Sequence, residues 1–174
     1  LAAGMACEGA KPVVAKEKNL RCDIDALLAK VGERTRICFL ANPNNPTGSY
    51  LTKDEVERLH KGLPERVLFV VDAAYAEYVS RNDYTAGMEL VAKFNNVVMT
   101  RTFSKIYGLA GLRIGYGITT PAMNEVLNRV RQPFNTNDLA QRGALAALDD
   151  DEHVERCRRV NEEGKRFLEA ELPP

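Results

Sequence analysis

The sequence has no excess of either charge: 24 lysines and arginines stand against 24 aspartates and glutamates. No basic block or stripe is present, so nothing electrostatic points to nucleic acid or to an anionic membrane surface. Long hydrophobic runs are also missing. The longest, such as Val67 to Val71, have the length of a buried strand and fall far short of a bilayer span. The cysteines (Cys7, Cys22, Cys38 and Cys157) form neither a CxxC pair nor any metal-like spacing. That argues against a disulfide framework and for a reduced, cytoplasmic protein with no metal site. His60 and His153 fall in charged, helix-like stretches without a partner that would make either a ligand or a base. Both are expected at the surface. The opening LAAGMACEGA lacks the charged start and the apolar stretch of a signal peptide. Neither a G-x-G-x-x-G turn nor a Walker loop occurs, which weakens a generic nucleotide-binding reading.

What is present is an alternation of strand and helix signals. Lys11 to Ala15 (KPVVA), Arg36 to Ala41 (RICFLA), Val67 to Val71 (VLFVV) and Asn96 to Thr100 (NVVMT) read as strands. Ile114 to Ile118 reads as a further strand weakened by glycine. Helical spacing marks Asp25 to Val31, and Thr52-x-x-Glu55 is a capping box opening a helix to about Gly62. Pro121 suits the first position of a helix running to about Arg131, and Asn135 to Asp149 and Glu152 to Leu172 read as two more. The fold class is α/β, a mostly parallel sheet flanked by helices.

In an open parallel sheet, ligands sit outside the carboxyl ends of the strands. Here RICFLA runs into Asn42-Pro43-Asn44-Asn45-Pro46-Thr47-Gly48, VLFVV into Asp72-Ala73-Ala74-Tyr75, and NVVMT into Arg101-Thr102-Phe103-Ser104-Lys105. If these strands are parallel, the polar groups lie on one edge and converge. The residue types suit pyridoxal 5'-phosphate, which is held by a Schiff-base lysine and a carboxylate at the pyridine nitrogen. Lys105 is the candidate lysine and general base, and Asp72 the carboxylate that keeps the ring nitrogen protonated. Tyr75 and Asn45 are candidate donors to the ring oxygen. Thr102, Ser104 and Arg113 supply the hydroxyls and positive charge that a phosphate monoester needs. Taken singly, each has a duller role: a helix cap for Asp72, a surface lysine for Lys105, a salt-bridge partner for Arg113, a stiff turn for the proline loop. It is the ordered set at successive strand ends that points to a site.

ANPNNPTG, VVDAAYAEYV and RTFSKIYGLAGLRIGYG, in this order and spacing, resemble the fold-type I, class I/II aminotransferases. Within them the chain is most similar to the histidinol-phosphate aminotransferases, through the NPNNPTG form, the RTFSK core and the later RQPFNTN. The resemblance implies a cofactor held by Lys105, Asp72, Asn45, Tyr75, Thr102, Ser104 and Arg113. It implies a ping-pong exchange in histidine biosynthesis, between L-histidinol phosphate as amino donor and 2-oxoglutarate as the 2-oxo acid. It also implies a homodimer in the full-length protein. Residues 1–150 would be the cofactor-binding large domain, incomplete at its N-terminus, and residues 151–174 the start of a small C-terminal domain. The chain therefore reads as part of an enzyme, inactive by itself. One departure is that Ala73 replaces the acid usual in the family, which leaves the cofactor contacts intact and is expected to alter local packing or the pairing of a neighbour. An aromatic amino acid aminotransferase or a threonine-phosphate decarboxylase would share every cofactor residue. A non-catalytic, aminotransferase-like ligand sensor is the rival from another class.

Overall fold

A computed structural model describes residues 9–172. The first eight residues, with Cys7 and most of LAAGMACEGA, lie outside the described residues, as do Pro173 and Pro174.

Strands β1 (Ile37–Ala41), β2 (Leu68–Asp72), β3 (Val97–Thr102) and β4 (Gly115–Ile118) form one sheet in the order β1-β2-β3-β4. β1, β2 and β3 are mutually parallel, and their ends fall in register, Ala41 beside Asp72 and Asp72 beside Thr100. The connections between them carry helices, as parallel strands require: α2 (Lys53–Gly62) between β1 and β2, α3 (Met88–Lys93) between β2 and β3. The sequence pattern did not reveal α3. β4 returns antiparallel to β3. The connection over residues 103–114 holds only a 3₁₀ turn at Ala110–Leu112, too short for a crossover. Gly115 is required in this return, because a β-carbon there would lie 2.7 Å from the Arg101 carbonyl oxygen.

α1 (Ile24–Leu28) is capped by Asp23, whose carboxylate accepts from the Ala26 amide at 3.0 Å. The capping box of α2 is present: Thr52 Oγ1 accepts from the Glu55 amide, and the Glu55 carboxylate accepts from the Thr52 amide at 2.8 Å. Arg21 forks onto the same carboxylate, and these bonds, Arg21 foremost, hold the Glu55 carboxyl down at about 2. α4 (Pro121–Val130) begins on Pro121 with Thr120 as its cap, α5 (Asp138–Leu148) on Asn137, and α6 (Asp151–Glu171) on Asp150.

One face of the sheet packs Cys38, Leu40, Phe69, Val71 and Val97 against Ile24 of α1, Val56 and Leu59 of α2, and Leu90 of α3. Beyond the sheet's carboxyl edge, Phe103 and Ile114 pack against Ala140 and Ala144 of α5. Among the described residues, no helix is long and apolar enough to cross a membrane. Cys22, Cys38 and Cys157 are free thiols, and burial pushes Cys38 up to about 12.

Two expectations are corrected. Lys11–Ala15 forms no strand: Val13 and Val14 are exposed, and β-forming residues make a strand only where a neighbour accepts their hydrogen bonds. A cleft of about 760 Å³ separates this segment from β1 and α1. His60 is also not at the surface. It completes the stripe Val56, Leu59, His60, Leu63 at i, i+3, i+4 and i+7, and is 6% exposed. Its ring lies 4.1 Å from that of Phe94, and its Nε2 is 3.0 Å from Asn96 Oδ1.

Candidate active site

Parallel pairing of β1, β2 and β3 brings their polar extensions to one edge. The first extension is held from within. Asn42 is fully buried; its Nδ2 donates to the Leu51 carbonyl at 3.1 Å and its Oδ1 accepts from the Leu51 amide at 2.7 Å. The two bonds imitate a strand pairing and close the loop. The Tyr84 hydroxyl donates to the Asn42 carbonyl at 2.7 Å, and burial pushes that phenol well above its ordinary range. Gly48 takes a positive φ of 69° where the loop turns back. The result is a stiff loop with Asn45 at its exposed tip.

Asn45 Nδ2 donates to the Tyr75 hydroxyl at 2.8 Å. The Lys105 ammonium lies 5.0 Å from the centre of the Tyr75 ring, within reach of a cation–π attraction. Asn45, Tyr75 and Lys105 thus form one group drawn from three strand ends. Asp72 stands at the last rung of β2, its carboxylate exposed and accepting from the Ala74 amide at 3.2 Å. Among the described residues its carboxylate makes no hydrogen bond or ion pair with the other candidates.

Thr102, Ser104 and Arg113 form a second group. Thr102 Oγ1 accepts from the Ser104 amide at 3.1 Å. Arg113 Nη1 donates to the Ala110 carbonyl at 2.7 Å and lies 3.5 Å from Ser104 Oγ. Arg113 adopts a left-handed backbone, φ 54° and ψ 49°, a conformation that costs a residue bearing a β-carbon about 1–2 kcal/mol. Ala73, in place of the expected acid, is fully buried beside Ala76 and Met99. A carboxylate would not suit those surroundings.

Several residues around the site escaped the sequence reading. Glu77, 6% exposed, accepts from Arg101 Nε at 3.0 Å and Nη2 at 2.5 Å. Burial alone would lower the Arg101 guanidinium, but the bonds to Glu77 outweigh it and hold it above its ordinary value. His153 of α6 is half-buried, against the expectation of a surface residue. Its Nε2 lies 2.9 Å from the Ile106 carbonyl oxygen, directly after Lys105, and its Nδ1 lies 3.1 Å from Arg156 Nη2. A carbonyl only accepts and a guanidinium only donates, so the ring hydrogen sits on Nε2. The available signal was helical spacing: His153 shares a face with Cys157 and adjoins the buried Val154.

The model of the family described as aminotransferase class I and II matches residues 3–172. A histidinol-phosphate aminotransferase of Rhodospirillum centenum is 59% identical over 157 residues, covering 90% of this chain and 43% of that protein. One of Rhodopseudomonas palustris is 54% identical over 164 residues, covering 94% of this chain and 45% of that protein. The crystal structure of histidinol-phosphate aminotransferase from Sinorhizobium meliloti in complex with pyridoxal-5'-phosphate superposes with a TM-score of 0.84 at 36% identity. It is matched over 90% of this chain and 42% of its own. The chain therefore spans less than half the length of these relatives. With a family model matched along nearly its whole length and a mostly parallel α/β sheet like theirs, it belongs to the class I and II aminotransferases.

Proposed function

We propose that this chain forms the cofactor-holding part of a pyridoxal-phosphate-dependent aminotransferase that exchanges the amino group of L-histidinol phosphate with 2-oxoglutarate, in histidine biosynthesis. The observation that carries the proposal is the gathering of Asn45, Tyr75 and Lys105 from successive strand ends, beside Ser104 and Arg113. The donor set fits the group: an amine, an exposed carboxylate, a phenol paired with an amide, two hydroxyls and a guanidinium. The identities of 59% and 54% to histidinol-phosphate aminotransferases support the choice of amino donor.

Pyridoxal phosphate, when bound, supplies an electron sink for the charge that develops at the substrate Cα. Lys105 would hold the cofactor through Nζ and, once released, take the Cα proton. Asp72 would hold a proton on the ring nitrogen by its negative charge. Asn45 and Tyr75 would donate hydrogen bonds to the ring oxygen, and their mutual bond aims both before any ligand arrives. Thr102, Ser104 and Arg113 would bind the phosphate, the guanidinium by a charge-assisted pair. Residues 1–150 would belong to the large domain and residues 151–174 would open a small one. A homodimer in the cytoplasm, acting on small molecules and neither nucleic acid nor membrane, completes the reading.

The test is the visible absorption of the complete protein after adding pyridoxal phosphate, beside a Lys105→Ala control. A band lost in the control is expected. Amine-donor profiling should then favour histidinol phosphate over aromatic amino acids and threonine phosphate. Identical spectra from two folded proteins would refute the assignment of Lys105.

A further inference from the structure

Glu77 has no part in the roles above, yet its burial is costly. Its Oε1 takes both bonds from Arg101, and its main-chain oxygen accepts from Arg158 Nε of α6. Oε2 is buried and has no hydrogen-bond partner among the described residues. Taking a carboxylate and a guanidinium out of water costs several kcal/mol for each ion, and well-packed apolar residues often serve stability as well or better. A pair kept under those terms is better explained by the geometry it imposes.

Its location shows which geometry. Glu77 lies two residues past Tyr75, while Arg101 lies one residue before Thr102 and four before Lys105. The register of β2 with β3 ends at Asp72 and Thr100, with a last backbone bond from the Ala73 amide to the Thr100 carbonyl. Beyond that rung the Tyr75 loop leaves the sheet. Among the described residues, the Glu77–Arg101 contacts are the only side-chain hydrogen bonds tying that loop to the strand end that leads to Lys105. We infer that Glu77, acting through Arg101, is a positioning residue that sets the placement of the Tyr75 phenol against the Lys105 amine. The inference rests on the cofactor reading given above.

The test compares Glu77→Gln, Arg101→Lys and the double variant in the complete protein loaded with pyridoxal phosphate. The readouts are the pH titration of the Lys105-dependent visible band, kcat and KM separately, and thermal unfolding. With Tyr75 displaced, a donor is withdrawn from the ring oxygen, so the titration midpoint should rise. It should rise in each single variant and no further in the double. A misplacement of this kind lowers kcat by about 10²-fold, with KM little changed. Variants that melt earlier but keep the wild-type midpoint and kcat would make the pair merely structural and overturn the inference. Should Glu77→Gln not fold, Arg101→Lys, which keeps the charge and loses the forked contact, decides on the same readouts. If wild type shows no band that Lys105→Ala removes, the cofactor reading itself has failed and the inference falls with it. A normal band with unmoved midpoints sinks the inference alone.

Discussion

Asn45 and Tyr75, 30 residues apart and on loops that follow different strands, are joined by a 2.8 Å hydrogen bond from the amide to the phenol oxygen. Each thereby fixes the other's orientation, and the Tyr75 ring also carries the Lys105 ammonium over its face. Tyr75→Phe keeps that ring but removes the hydroxyl. The expected outcome is a protein that still shows the Lys105-dependent band, with kcat lower by about 10²-fold, the usual effect of deleting one aimed donor. Loss of the band altogether would mean that Tyr75 is needed to hold the cofactor at all.

Arg113 invites a test in which stability and binding part company. Arg113→Gly removes the left-handed strain of about 1–2 kcal/mol together with the exposed bond to the Ala110 carbonyl. Without cofactor, thermal stability should change by no more than about 1 kcal/mol. Cofactor affinity should fall at least about tenfold, since a charge-assisted phosphate contact is lost. Unchanged affinity would remove Arg113 from the phosphate site.

Asn42 predicts the reverse pattern. Its side chain bonds to none of the candidate groups, and only its main-chain amide reaches one of them, the Asp72 carbonyl at 2.9 Å. Both of its side-chain polar atoms are bonded to Leu51 in a fully buried setting. Asn42→Ala leaves the Leu51 amide and carbonyl without partners, at a cost of about 2–4 kcal/mol measurable by denaturant unfolding. A smaller loss would show that water reaches the Leu51 groups.

Acid should weaken the α2 region through Glu55. Its folded carboxyl, held near 2 chiefly by Arg21, lies below the ordinary value of 4.5. A depressed acid contributes stability that is complete above the unfolded value and lost as pH falls through the folded one. The window is therefore about pH 4.5 down to 2. With the side chain 32% exposed, solvent screening leaves roughly 1–2 kcal/mol at stake. In Glu55→Gln, stability should already be lower at neutral pH and flatter across that window.

The sheet was legible in the sequence because its strands are continuous apolar runs bounded by turn residues, as with Ile37–Ala41 ahead of Asn42-Pro43-Asn44. The nearness of Asn45, Tyr75 and Lys105 followed from strand direction alone. What stayed hidden depends on partners distant in sequence. Val13 and Val14 look like a strand until no neighbour pairs with them, and His60 looks exposed until Phe69 and Phe94 close over it. Glu77 could not be paired with Arg101 by inspection, because they stand 24 positions apart with α3 between them.

The antiparallel return of β4 divides the site by contact range. Thr102 pairs with Gly115, so residues 103–114, with Ser104, Lys105 and Arg113 among them, close as a short local loop. Asn45 meets Tyr75 only after the crossover from β1 through α2 to β2 has packed. Short loops close at smaller entropic cost, and local contacts form sooner than distant ones. The half of the site proposed to grip the phosphate should therefore assemble early in folding, and the half proposed to face the ring oxygen should be completed last.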